Sequence, residues 1–358
     1  MKMKWLKKGT AVAAMTAAMT IRAFGDTPES GDAAKAEPVR IVFAGDILFD
    51  DRYAVMNSMI SRKTGIDGTI SPGLLEEMRG ADIFVVNNEF PYSDRGKPRT
   101  GKTYTFRARP RSASMLSDMG ADLAILANNH MFDYGEEALV DTLDILDGIG
   151  IARAGAGRNL SEAAAPVYFD VGGMRIAFLA ATQVEHSDTP LTRAATDTLP
   201  GVFHCRRPEL LLEEIRKAKE NSDFVTVYIH WGTESTDKLD ADQKNLAPLM
   251  AEAGADLIIG DHPHVLQPIG YCGDVPVVYS LGNFLFNSKR RDTCLLEVVV
   301  DQDGISSLRF IPAIQQNCRV AEADGKEGER ILNYMRSISP EAAIDENGYF
   351  TKAGSCGE

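Results

Sequence analysis

Four of the six histidines in this 358-residue chain each close an apolar run: His130, His230, His262 and His264. The densest case is Ala255-Asp256-Leu257-Ile258-Ile259-Gly260-Asp261-His262-Pro263-His264. Its apolar part reads as a short buried strand that Gly260 breaks. On extended backbone His262 and His264 would point to the same side, because side chains repeat every two residues. Two imidazoles there make half of a metal site, and the carboxyl ends of strands are where open α/β sheets bind ligands. Taken alone, the pair reads equally well as two surface loop histidines.

Other strand ends carry the same kind of chemistry. Val39–Ala44 runs into Gly45-Asp46, although an Asp there also suits a helix cap or a turn. Ile83–Val86 delivers Asn87-Asn88-Glu89-Phe90-Pro91, and Glu is a poor turn residue. Asp122–Leu126 ends in Ala127-Asn128-Asn129-His130, and Phe224–Ile229 ends in His230-Trp231-Gly232-Thr233-Glu234. Asp46, Glu89, Asn129, His230, His262 and His264 thus converge from five strand ends as candidate ligands. Mixed nitrogen and oxygen donors suit Mn, Fe or Zn, and the lack of cysteine among them argues against a structural zinc site. Two carboxylates allow one or two divalent ions, a pair lying roughly 3.5–4 Å apart to clamp an ester and activate water.

His130, beside a candidate ligand, is placed to protonate a leaving oxygen. Asp133 and Glu234 would orient imidazoles or simply cap helices. Arg52, Arg107 and Arg109 would form a positive patch for an anionic substrate, or lie solvated on the surface. Asn283, between Gly282 and Phe284, is a turn residue or a contact at the rim, whereas Trp231, Tyr279 and Phe284 read as core.

Behind these groups the pattern predicts alternating strands and helices. Helices are expected over Gly73–Arg79, Ser112–Met119 and Glu136–Ile149, the last stopped by Gly150. Val167–Val171 and Arg175–Leu179 flank Gly172-Gly173, a hairpin signal. A polar loop is expected over Thr182–Gly201. Helices follow over Pro208–Glu220 and Ala241–Ala253, then strands over Val275–Ser280, Thr293–Val300 and Ile305–Ile311, and a peripheral helix over Gly328–Ser337. The fold class is α/β: two mixed sheets with helices outside.

Residues 1–25 read as a signal peptide or amino-terminal anchor, with Lys2, Lys4, Lys7 and Lys8 ahead of an Ala/Met/Thr-rich run, and 26–37 as a linker. The expectation is an exported protein, periplasmic or extracytoplasmic. A formal net charge of -13 argues against nucleic acid, which needs a basic footprint. It also restricts a polyanionic ligand to a locally positive site. Five widely spaced cysteines fit neither a zinc ribbon nor a dense disulfide framework.

The ordered motifs Gly45-Asp46, Asn87 to Pro91, Ala127 to Gly135, His230 to Glu234, Gly260 to His264 and Tyr279 to Phe284 resemble the CapA family of bacterial capsule-synthesis proteins. The resemblance spans about Val39 to Phe310. It implies a role in poly-γ-glutamate capsule production and a four-layer α/β/β/α sandwich like that of calcineurin-like metallophosphoesterases, over residues 38–320, with 321–358 as a carboxy-terminal helix and tail. By motif position it implies Asp46 and His264 at a first metal, Asn129, His230 and His262 at a second, Glu89 bridging them and His130 as the acid. Two departures stand out: Leu48 occupies the place of a histidine, and Glu89 that of an aspartate. The first position is then poorer in ligands unless Asn87 or Asn88 fills in. The implied activity is metal-dependent hydrolysis of a phosphoester or related bond, in an anionic envelope polymer or another phosphoester substrate. The other reading is a non-catalytic polymer-binding or assembly component of a membrane-bound capsule-synthesis complex.

Overall fold

The apolar runs become strands in two sheets. A computed structural model describes residues 37–184 and 192–354. In the first sheet the order is Arg319–Glu322, Gly304–Gln316, Arg291–Asp301, Val39–Ile47, Ile83–Asn88, Leu123–Ile125 and Ala152–Ala154, with Asn283–Leu285 also pairing with Val39–Ile47. From Val39–Ile47 to Ala152–Ala154 the neighbours are parallel. On the other side of Val39–Ile47 the neighbours are antiparallel. The second sheet runs Ile269–Cys272, Val275–Val278, Leu257–Asp261, Phe224–His230, Met174–Thr182 and Val167–Val171, parallel in its middle. Parallel neighbours need crossovers, which the helices Pro72–Arg79, Ser114–Met119, Glu209–Glu220 and Ala241–Ala253 supply.

Three apolar cores separate the layers. Ile41, Phe43, Val85 and Ile125 of the first sheet meet Ile176, Phe178, Tyr228 and Ile259 of the second. The alternate residues Val42, Ala44, Phe84 and Val86 pack against helical Leu74, Met78, Leu116 and Leu143. Val225, Val227, Ile229 and Ile258 do the same against Leu211, Ile215, Leu246 and Met250. The result is the expected α/β/β/α sandwich. Strands covered on both faces read as unbroken apolar runs rather than alternating ones, which is why they stood out in the sequence.

Gly172 and Gly173 turn the predicted hairpin with φ of 61° and 78°, a conformation that favours glycine at both places. The helices Glu136–Ile149 and Ala241–Ala253 have the predicted bounds. Two helices went unpredicted, Ala54–Arg62 and Leu160–Ala164. The carboxy-terminal helix spans Gly325–Ile338 and is not peripheral: Ile331, Leu332 and Met335 enter the core between the sheets. Cys205, Cys272, Cys294 and Cys318 are free thiols. The leader or anchor expected over 1–25, nearly all of the linker and part of the 182–201 loop lie outside the described residues. Among those residues no helix is long and apolar enough to cross a membrane.

Candidate metal centre

Two glycines bring the strand ends together. A Cβ on Gly45 would lie 1.9 Å from the carbonyl oxygen of Gly282, so only glycine lets the first strand abut that segment. Beyond this contact the Asp46 amide donates to Gly282 (3.1 Å), and Asp46 pairs with Asn283 on one side and Asn87 on the other. Gly260 plays the same part in the second sheet. Its Cβ would meet the Tyr279 carbonyl oxygen at 2.2 Å and Trp231 Nε1 at 2.3 Å, where the indole N–H donates to that carbonyl (3.0 Å). Trp231 and Tyr279 stack in the outer core and Phe284 packs in the opposite one.

The two histidines of the Gly260–His264 motif reach the site by a different route from the one expected. The strand ends at Asp261, and His262 and His264 have φ of 104° and 57°. They lie in the left-handed region rather than on extended backbone, a costly conformation that clusters at functional sites. His262 Nδ1 sits 3.2 Å from His230 Nε2. His264 Nδ1 sits 2.9 Å from Asp46 Oδ2 and 2.8 Å from Asn283 Oδ1. A backbone turn, not strand alternation, converges the rings.

Three sets of candidate ligands result, each with its donor atoms within 4.8 Å of one another: Glu89, His230 and His262; Asp46, Glu89 and His264; and Glu234, His262 and His264. Glu89 belongs to the first two. It is fully buried, and neither carboxylate oxygen has a hydrogen-bond partner among the described residues; His230 Nε2 stands 3.4 Å from its Oε1. A buried carboxylate without donors is costly and calls for a counter-charge. A divalent cation in contact with these oxygens and imidazoles meets that need, so the donor set fits a metal. Burial, then the charge of Asp46, pushes Glu89 well above the ordinary carboxyl range, a preference that a bound cation reverses. Burial, then His262, holds His230 well below the usual imidazole range, in its neutral, ligating form. Burial opposes a charge on His264 too, but Glu89 and Asp46 outweigh it and raise the ring to about 10.

Asn129 joins the same site, its Oδ1 3.0 Å from His230 Nε2. Leu48 lies in the helix-side core, and Asn87 does not replace the missing histidine as a ligand: its amide donates to Asp46 Oδ1 at 2.6 Å. Asn88 donates to the Phe90 carbonyl (2.6 Å) and so fixes the turn that carries Glu89. Asn283 is the group that stands beside Asp46 and His264.

His130 forms a separate arm. Its Nδ1 is 2.6 Å from Asp133 Oδ2, and Phe106 stacks on the ring at 4.1 Å between centroids. Asp133 is fully buried and caps no helix: it accepts from the Phe106 amide (2.7 Å) and Lys102 Nζ (2.6 Å). Burial drives His130 down to about 4, against the pull of Asp133. Lys102, which also bonds the Asn129 carbonyl, was missed from sequence because a lysine after a glycine in an aperiodic stretch reads as solvated loop.

The three arginines have partners of their own, and Arg107 directly follows Phe106, whose ring stacks on His130. Arg52 pairs with Asp50 (2.6 Å), Arg109 pairs with Asp51, and Arg107 lies 4.2 Å from the centroid of the Tyr134 ring. Acids earlier in the chain hold two of them and an aromatic face the third. Asp261, unremarked in the sequence, is buried and accepts from the Tyr228 hydroxyl.

The four-layer sandwich thus gathers carboxylates, amides and imidazoles at one rim, in three sets that could hold a metal ion. The family model for the bacterial capsule synthesis protein PGA_cap matches residues 40–288, and the chain belongs to that family. It is 32% identical over 275 residues to the PGA biosynthesis protein CapA of Bacillus subtilis (strain 168), covering 75% of this chain and 70% of that one. It is 32% identical over 278 residues to the capsule biosynthesis protein CapA of Bacillus anthracis, covering 75% and 66%. A probable polyglutamine synthesis accessory protein of Mycobacterium tuberculosis, MT0602, is 26% identical over 280 residues, covering 74% of each chain.

Proposed function

We propose that this chain is an exported, metal-dependent hydrolase of capsule synthesis that cleaves a phosphoester or related ester or amide bond in an envelope substrate. The carrying observation is Glu89, buried without a hydrogen-bond partner and common to two ligand sets. Asp46 and His264 would hold one ion, His230, His262 and Asn129 a second, and Glu89 both. Bound there, Mn, Fe or Zn would polarise the scissile group and acidify water. The lysine-rich amino terminus supports export, and the names of the relatives support the capsule role.

The protein's own contribution centres on His130. An ionised carboxylate only accepts hydrogen bonds, so Asp133 holds the proton of His130 on Nδ1 and leaves Nε2 to exchange a proton with the substrate. Lys102 balances the charge of Asp133, and Phe106 covers one ring face and excludes water from it. Metal-reconstituted protein is expected to turn over a member of a panel of phosphoesters, esters and γ-glutamyl amides, and His130→Ala to lower that turnover about 10²–10⁴-fold. Full metal loading without turnover would favour the second reading, a non-catalytic polymer-binding or assembly component, for which Leu48 in place of a ligand is the supporting observation.

A further inference from the structure

Glu234 stands at the rim without a structural task. The helix after it, Ala241–Ala253, is capped by Asp240, so Glu234 caps nothing. Its side chain is exposed, and among the described residues no hydrogen bond or ion pair engages its carboxylate. One of its oxygens nevertheless lies within 4.8 Å of a ring nitrogen of His262 and of His264.

The loop that carries Glu234 is held against the turn that carries the two histidines. The strands Phe224–His230 and Leu257–Asp261 are parallel neighbours, with His230 beside Asp261, and the segments leaving them stay together. The Trp231 amide donates to the Asp261 carbonyl (2.9 Å), and the Ser235 amide donates to the carbonyl of Pro263 (2.8 Å), between the two histidines. Farther along, the Gln267 side chain donates to the carbonyls of Thr236 (3.1 Å) and Lys238 (3.4 Å) and accepts from Gln243 (2.7 Å). Both glutamines are fully buried, where an amide has to be satisfied by partners of this kind. Ser235, His262 and His264 all have positive φ, of 61°, 104° and 57°. Non-glycine residues keep that costly conformation only where the surroundings over-determine it. Two facing turns therefore fix Glu234 beside the ring pair.

The same two histidines also lie in the donor sets of Glu89. They are thus shared by two carboxylates, Glu89 buried and Glu234 exposed, and Glu234 is the one exposed member of the three sets. We propose that Glu234 is a metal ligand at the open face of the centre, joining His262 and His264 in holding a divalent cation. One carboxylate oxygen with imidazole nitrogens suits Mn, Fe or Zn. The proposal rests on the reading of the rim as a metal centre and adds to it a ligand on the side that solvent and substrate reach.

The test is titration of the metal-free full chain with Co²⁺, read by visible absorption and by elemental analysis, for wild type, Glu234→Gln and Glu234→Ala. Loss of a group that merely orients a ligand costs about 10–100-fold in metal affinity, and both variants are expected to lose at least that much. The thermal midpoint of the metal-free protein should stay the same, because the side chain is exposed. At saturating Co²⁺ the absorption bands of the variants should differ from those of wild type, since the ligand set itself has changed. Variants that bind Co²⁺ as wild type does would overturn the proposal and leave the hydrolase reading intact. Weaker binding with a wild-type spectrum at saturation would also overturn it, leaving Glu234 as a neighbouring charge. Wild type that takes up no Co²⁺ would sink both readings. Weakened binding with an altered spectrum, in a protein whose metal-loaded wild type turns over nothing, would uphold Glu234 and sink only the hydrolase reading.

Discussion

Glu89 and Lys102 are buried titratable groups of the rim that call for opposite partners. Glu89 faces imidazoles and a second carboxylate, an arrangement that a bound cation would complete. Lys102 already has its partner in Asp133, with 8% of its side chain exposed. Removing one member of a buried pair strands the other. Lys102→Met is therefore expected to destabilise the fold by about 3 kcal/mol in denaturant titrations, whereas mutation of an exposed lysine such as Lys217 should change little. An unchanged midpoint would mean that Lys102 is no structural partner of Asp133. The candidate ligands were legible as residues because metal chemistry restricts them to a few types ending apolar runs. Lys102 was not, since its role depends on where an aperiodic stretch folds back.

Elements were readable where local signals and packing agree. The helix Ala241–Ala253 opens on a capping box, Asp240 with Gln243, and closes on Gly254 in the left-handed conformation. The helix Ala54–Arg62 has no side-chain cap bond and no acid in its first turn, so nothing announces it. The carboxy-terminal helix looked peripheral because its sequence shows an apolar stripe but not which surface covers it. Strand ends were legible as ends, but the turn that redirects His262 and His264 was not, because non-glycine residues rarely adopt positive φ. The motif glycines gain a physical reason at this scale. Gly45→Ala drives a methyl group into the Gly282 carbonyl, and overpacking of this kind costs about 1–3 kcal/mol or more. The expected result is a lower thermal midpoint together with lost metal binding, since Asp46 follows directly. A variant with wild-type stability and metal content would show that the contact does not position the site.

At the scale of the whole molecule, both sheets deliver groups to one rim: Asp46 near the end of a strand of the first, with Glu89 and Asn129 after its strands, and His230 at the end of a strand of the second, with His262 and His264 after another. The core between the sheets holds the two groups of candidate ligands together, so a metal bound between them would report on the docking of the two halves. Bound metal should in turn raise the thermal midpoint, because a ligand of the folded state alone stabilises it. The most direct measurement is metal content by elemental analysis of protein purified without chelator, wild type beside His262→Ala and Glu89→Gln. The account predicts about one to two equivalents of Mn, Fe or Zn in wild type and a clear reduction in both variants. Wild type that holds no metal, even after incubation with Mn, would contradict it.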